Sequence, residues 1–275
     1  MNDAHILECY RTTLLQLPPN IYLTSTTMSR FQQTREQFAP EQLDLLHAVK
    51  VCMTPSGTPN ESGKFPDGIY VLATLLVLAC HAVPSKNMLA NIYCPGKKAT
   101  FELALNRWLS LQSSHPDDSA LVLFHLGFVV LHTNMPDIHN LVRDFTHRKS
   151  QPATVSSEVI QWRRSDNCDV AILHATQLVE TAKRLSLRAE SRPAGHRSAT
   201  KPRSFAARHD ETAHAAICVY LAIITLWAAE IASESVNLHN AKASLSGGCN
   251  ILRRFRLRIA AGLEKILRYL DENTE

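Results

Sequence analysis

Thirteen histidines and seven cysteines are the side chains with which this 275-residue chain could hold a metal or attack an electrophile. A zinc site needs several nitrogen or sulfur ligands at one point. Sequence usually announces it by Cys-x-x-Cys or His-Glu-x-x-His pairs, because such ligands share one turn of chain. Neither pair occurs. His125, His132 and His139 are spaced by seven, which would align them on one side of a continuous helix, but Pro136 falls between the last two and should interrupt it. They are expected to be satisfied core or surface histidines. Asp117-Asp118 could begin the magnesium-binding carboxylate cluster of an isoprenoid cyclase, yet "SALVL" follows and supplies no third carboxylate. Those two acids suit the first turn of a helix, where negative charge is favoured. A Gly-x-Ser-x-Gly elbow and a glycine-rich phosphate loop are both missing. No catalytic, cofactor-binding or metal residue is therefore singled out, no cofactor is expected, and the chain reads as a non-enzyme.

Cys9, Cys52, Cys80, Cys94, Cys168, Cys218 and Cys249 are odd in number, scattered, and mostly set in apolar stretches. That pattern predicts reduced thiols in an intracellular compartment. The opening "MNDAHILECYRTTLLQLPPN" has no basic region followed by an apolar one, so no secretory signal is read there. A net charge of +4 is too small for a module that grips nucleic acid by charge alone. The basic residues gather in two places. "RAESRPAGHRSATKPRSFAARHD", residues 188–210, has lost apolar periodicity and is expected to be an exposed loop; a nuclear address or a phosphate contact is the sharper alternative. Arg253, Arg254, Arg256 and Arg258 sit in a terminal helix among Leu252, Phe255, Ile259, Leu263, Ile266 and Leu270. Those apolar positions predict one buried face. The competing use of such a helix is binding to a membrane surface or an acidic partner.

These side chains must be positioned by helices. Hydrophobic residues make up 45% and charged residues 20%, a soluble globular profile, and Leu, Ala and Ile recur at helical spacing with only nine glycines between them. The expectation is one all-α, multi-helix domain over residues 1–275. Helices are predicted over Asp3–Leu17, in "EQLDLLHAVKVCM", over Gly68–Val83, in "ATFELALNRWLSLQ", after Asp117-Asp118, from Pro136, and over Asp169–Leu187; residues 54–68 read as a turn-rich loop. Gly247-Gly248 is expected to break the chain before a last helix, "ILRRFRLRIAAGLEKILRYL". The most apolar stretch is "HAAICVYLAIITLWAAEIA", His214 to Ala232. Its uninterrupted apolar run is about 15 residues, against roughly 20 for a membrane span. Its flanks are charged or polar, so it is expected to be a core helix.

Four stretches together resemble the regulatory (middle homology) domain of fungal transcription factors, the helical region that accompanies zinc-cluster or zinc-finger DNA-binding modules. They are "SALVLFHLGFVVLHTNMPDIHNLVRDF", "DVAILHATQLVETAKRL", "RPAGHRS" followed by "TAHAAICVYLAIITLWAAEIA", and "LSGGCNILRRFRLRIAAGLEKILRYL". The likeness lies in packing motifs, so it carries over no catalytic or metal-binding residue. It implies a nuclear transcription-regulator domain that works through protein partners or self-association, without a membrane. The family's zinc cysteines are missing, and Met1 falls where the domain would already be under way, as in a fragment or in a paralogue without its DNA-binding part. DNA would then be reached only through a module this chain lacks. The alternative of another class is an all-α enzyme or small-molecule binder of fungal secondary metabolism.

Overall fold

The computed structural model describes residues 48, 51–53, 72, 75, 95–111, 116–147, 155–190, 213–255 and 257–274. Among them every regular element is an α-helix, as the apolar periodicity predicts. The helices are α1 (Pro95–Ser110), α2 (Asp118–His132), α3 (Met135–His147), α4 (Ser157–Arg163), α5 (Asp166–Glu190), α6 (Ala213–Ile231), α7 (Leu238–Arg254) and α8 (Arg258–Glu272). The chain divides between Pro116 and Asp117 into two compact units. In the first, α1 buries Phe101, Ala104, Leu105 and Trp108, the three-and-four spacing of one helix face. Ala48, Cys52, Leu72 and Leu75 of the same unit are helical and buried, within two of the predicted helices. The predicted helix over residues 3–17, the loop over 54–68 and residues 191–210 of the basic loop lie outside the described residues.

In the second unit α6 is the hub. It packs against α2, α3, α5, α7 and α8, which explains an apolar surface all the way round. From His214 to Ala232 only Leu226 and Glu230 are partly exposed. By length and composition His214–Ile231 could cross a membrane, but 89% of it is buried among its own protein neighbours. The one hydroxyl in its middle, Thr225, donates to the Leu221 carbonyl at 2.8 Å and so enters the core with its hydrogen bond made. Trp227 donates its indole N–H to Thr274 at 3.1 Å, tying the far end of α6 to the end of α8.

Local chemistry sets the helix ends. Asp117 is the N-cap of α2 and accepts from the backbone N–H groups of Ser119 and Ala120, so the acidic pair does mark a helix start. Its neighbour Asp118 turns inward and pairs with Arg184 of α5 at 3.2 Å. The helix ends before Pro136: Thr133 is extended, Asn134 accepts from the N–H groups of Asp137 and Ile138, and α3 leaves at 88° to α2. Pro136 sits in the first turn of α3, where its missing N–H costs nothing.

Three expectations are corrected. The first residues of the basic loop, 188–190, are the last residues of α5. Gly247-Gly248 does not break the chain: α7 runs through both. A Cβ on Gly248 would lie 2.7 Å from Ile223 Cγ1 and 3.0 Å from Leu267 Cδ1, so this glycine is there to let α7 approach α6 and α8. The closing helix is two helices, the first ending at Arg254 and the second starting at Arg258, and its apolar positions do not share one buried face. Leu252, Phe255 and Leu270 are buried, Leu263 is half-buried, and Ile259 and Ile266 face solvent. The inner face of α8 is Ala260, Glu264, Leu267 and Leu270 instead.

Candidate functional site

A group of titratable side chains lies on the seam between α2 and α5. His125, Phe128 and His132 occupy one side of α2, and His174 of α5 packs among them. His125 Nδ1 is 3.0 Å from His174 Nδ1. The Phe128 ring stacks on His174 at a centroid distance of 4.1 Å and an angle of 4°. His132 Nδ1 lies 3.2 Å from the side-chain oxygen of Asn167, and its carbonyl accepts the indole N–H of Trp162 at 2.8 Å. Burial, then the charges of His174 and Arg184, pushes His125 down to about 4; burial, then His132, does the same to His174. Both imidazoles are neutral at pH 7. A hydrogen bond between two neutral rings needs one Nδ1 protonated and the other bare, so the pair fixes opposite tautomers.

The spacing of seven thus brings His125 and His132 to one seam, as a continuous helix requires, while His139 goes elsewhere. The bend at Thr133 turns His139 toward α6, where its ring stacks with Tyr220 at 6.2 Å. Burial lowers the pKa of His139, and its Nε2 has no hydrogen-bond partner among the described residues. His174 was not legible as a member of the group, because only the packing of α5 on α2 supplies it. Among the described residues no cluster of three or more His, Cys, Asp or Glu side chains is placed to hold a metal ion.

A second constellation has the form of a nucleophile and its base. Ser119 Oγ lies 2.8 Å from His214 Nε2. Each residue is 2% exposed, which seals the pair from any substrate in this conformation. Burial pushes His214 down to about 4, so it too is neutral. The pair joins the first turn of α2 to the first turn of α6 as a buried polar tie. The thiols among the described residues are no better placed for attack: Cys52, Cys168, Cys218 and Cys249 are buried and free. Burial raises Cys52 and Cys168 to about 11 and raises Cys218 and Cys249 as well, so thiolate is scarce at neutral pH.

The C-terminal arginines are partly absorbed by structure. Arg253 of α7 and Arg268 of α8 both donate to the buried carboxylate of Glu264, the former at 2.9 Å. Hydrogen bonds from Arg268 first, and from Arg253, hold that carboxyl below its usual range. The three side chains lock α7 to α8. Comparison of the chain with protein-family models, with curated proteins and with solved structures found no match.

Proposed function

We propose that this chain is a transcription-regulator domain of the fungal type, acting in the nucleus by protein–protein contact on an activator or repressor that carries the DNA-binding module. One observation supports this reading above the others. The described parts of the four stretches that resemble the regulatory domain lie in α2–α3, α5, α6 and α7–α8 of a single unit, with "RPAGHRS" outside the described residues, and the Tyr220-Leu221 to Leu226-Trp227-Ala228 run is its hub. A family whose shared motifs are packing motifs would share a helical core in this way, with regulation left to its surface. The buried histidine and serine groups are used here to join helices, which agrees with work by contact.

The test is a fusion of the whole chain to a DNA-binding module of known specificity, placed beside a reporter gene in a fungal cell. Reporter output should shift several-fold up or down relative to the module alone. Output equal to that of the module alone, with the fusion present in the nucleus, would overturn the reading.

A further inference from the structure

Helix α8 has two apolar faces, and the fold uses one. Ala260, Glu264, Leu267 and Leu270 are turned inward against the rest of the unit. Ile259, Ile266 and Tyr269 are 38%, 39% and 37% exposed. They recur at three-and-four spacing with Gly262, which is exposed and has nothing within 4 Å of where its Cβ would stand. A glycine in the middle of an exposed helix face weakens the helix, and here no neighbour among the described residues requires it. Such a notch between two large apolar side chains is what a close helix–helix approach needs.

Charge names the partner. Arg258 is the first residue of α8, Glu272 is the last, and they are separated by two intervals of seven through Lys265. All three therefore line one flank of the stripe. Both end charges oppose the helix dipole: the first turn carries no acid, the last turn no base, and Leu257 supplies no side-chain cap. A second helix of the same sequence, laid antiparallel, removes this misfit. In a pair related by a two-fold axis, one flank meets the same flank of its partner, so Arg258 comes beside Glu272 of the second copy at both ends. Each charge then also lies near the helix terminus it suits. Lys265 falls near the axis, where its long stem reaches water. The apolar register follows, with Ile259 beside Tyr269 of the second copy and Ile266 over its Gly262.

We infer that α8 is a self-association surface, which pairs two copies of this chain antiparallel through Ile259, Gly262, Ile266 and Tyr269 with Arg258–Glu272 pairs at either end. This does not depend on the regulatory role proposed above. Sedimentation velocity of the whole chain should show a monomer–dimer equilibrium between about 1 and 100 μM. Ile266→Asp and Gly262→Leu, both at solvent-facing positions, should keep the helical signal and weaken the dimer by about tenfold or more. Arg258→Glu and Glu272→Arg should each weaken it, and the two together should restore it. Along one helix these residues are about 21 Å apart, so the rescue must act between copies. Arg258→Glu should also raise the thermal midpoint of the monomer, because it removes a cation from a helix N-terminus. A chain monomeric throughout the range overturns the proposal, as does a dimer untouched by the Ile266 and Gly262 substitutions. A dimer that the charge exchange fails to restore overturns the antiparallel pairing.

Discussion

His214 concentrates what a single buried side chain can do to this protein. It is fully enclosed, neutral, and 2.8 Å from Ser119. In the unfolded chain its pKa is the ordinary 6.5, while in the fold it is about 4. Above pH 6.5 both states are neutral there and the contribution is complete. As pH falls through the interval from 6.5 to 4, the unfolded chain takes up a proton that the folded one refuses, and stability is lost; below 4 the loss levels off. For this residue the whole effect is on the order of 3 kcal/mol. His214→Gln keeps a hydrogen-bonding partner for Ser119 and cannot titrate. Urea midpoints measured from pH 7 to pH 4 should therefore slope less in that variant than in the parent chain, by close to one proton. An unchanged slope would mean that other groups carry the acid sensitivity. From sequence, His214 was only the edge of an apolar run. Its partner is 95 residues away, and nothing in local spacing could have named Ser119.

At the level of helices, legibility followed how local the cause was. The start of α2 could be read because capping is settled within four residues, and the core character of α6 could be read because an all-round apolar helix has few other uses. Helix α4 was not anticipated: seven residues are too few to show a period, and its hold comes from Trp162 on the His132 carbonyl and Arg163 on the Ala229 carbonyl. The break expected at Gly247-Gly248 is absent for the same reason. Glycine pairs lower helix propensity locally, whereas the reason for Gly248 is tertiary: the side chains of Ile223 and Leu267 occupy the space of its Cβ. Ile223 is β-branched and stiff, so Gly248→Ala should force α7 away from α6 and cost about 1–3 kcal/mol. Gly247 has nothing within 4 Å of its Cβ position. Gly247→Ala should instead stabilise by about 0.5–1 kcal/mol. Urea unfolding of the two variants checks the pair of signs, and equal effects would show that the close approach is not what Gly248 serves.

For the whole molecule, the balance lies between an apolar helix and its surroundings. His214–Ile231 passes the length and composition test for a membrane span, yet nearly all of its surface is already spent on α2, α3, α5, α7 and α8. To enter a bilayer, α6 would have to leave those helices and expose the faces they present to it. Each buried side chain so exposed costs about 1.5–3 kcal/mol, and Leu126, Leu178, Leu245 and Leu267 are among the residues the fold keeps fully buried. Lipid would return nothing on that side of the exchange, because hydrocarbon is no better a neighbour for α6 than the Leu, Ile and Ala side chains it already touches. Expressed without detergent, the chain should therefore stay in the supernatant after high-speed centrifugation. Addition of lipid vesicles should not carry it into the pellet or change its tryptophan emission, since Trp227 is held inside by Thr274 and Phe145. Recovery only from carbonate-washed membranes would mean that α6 does exchange its protein neighbours for lipid, and the hub would have to be redrawn.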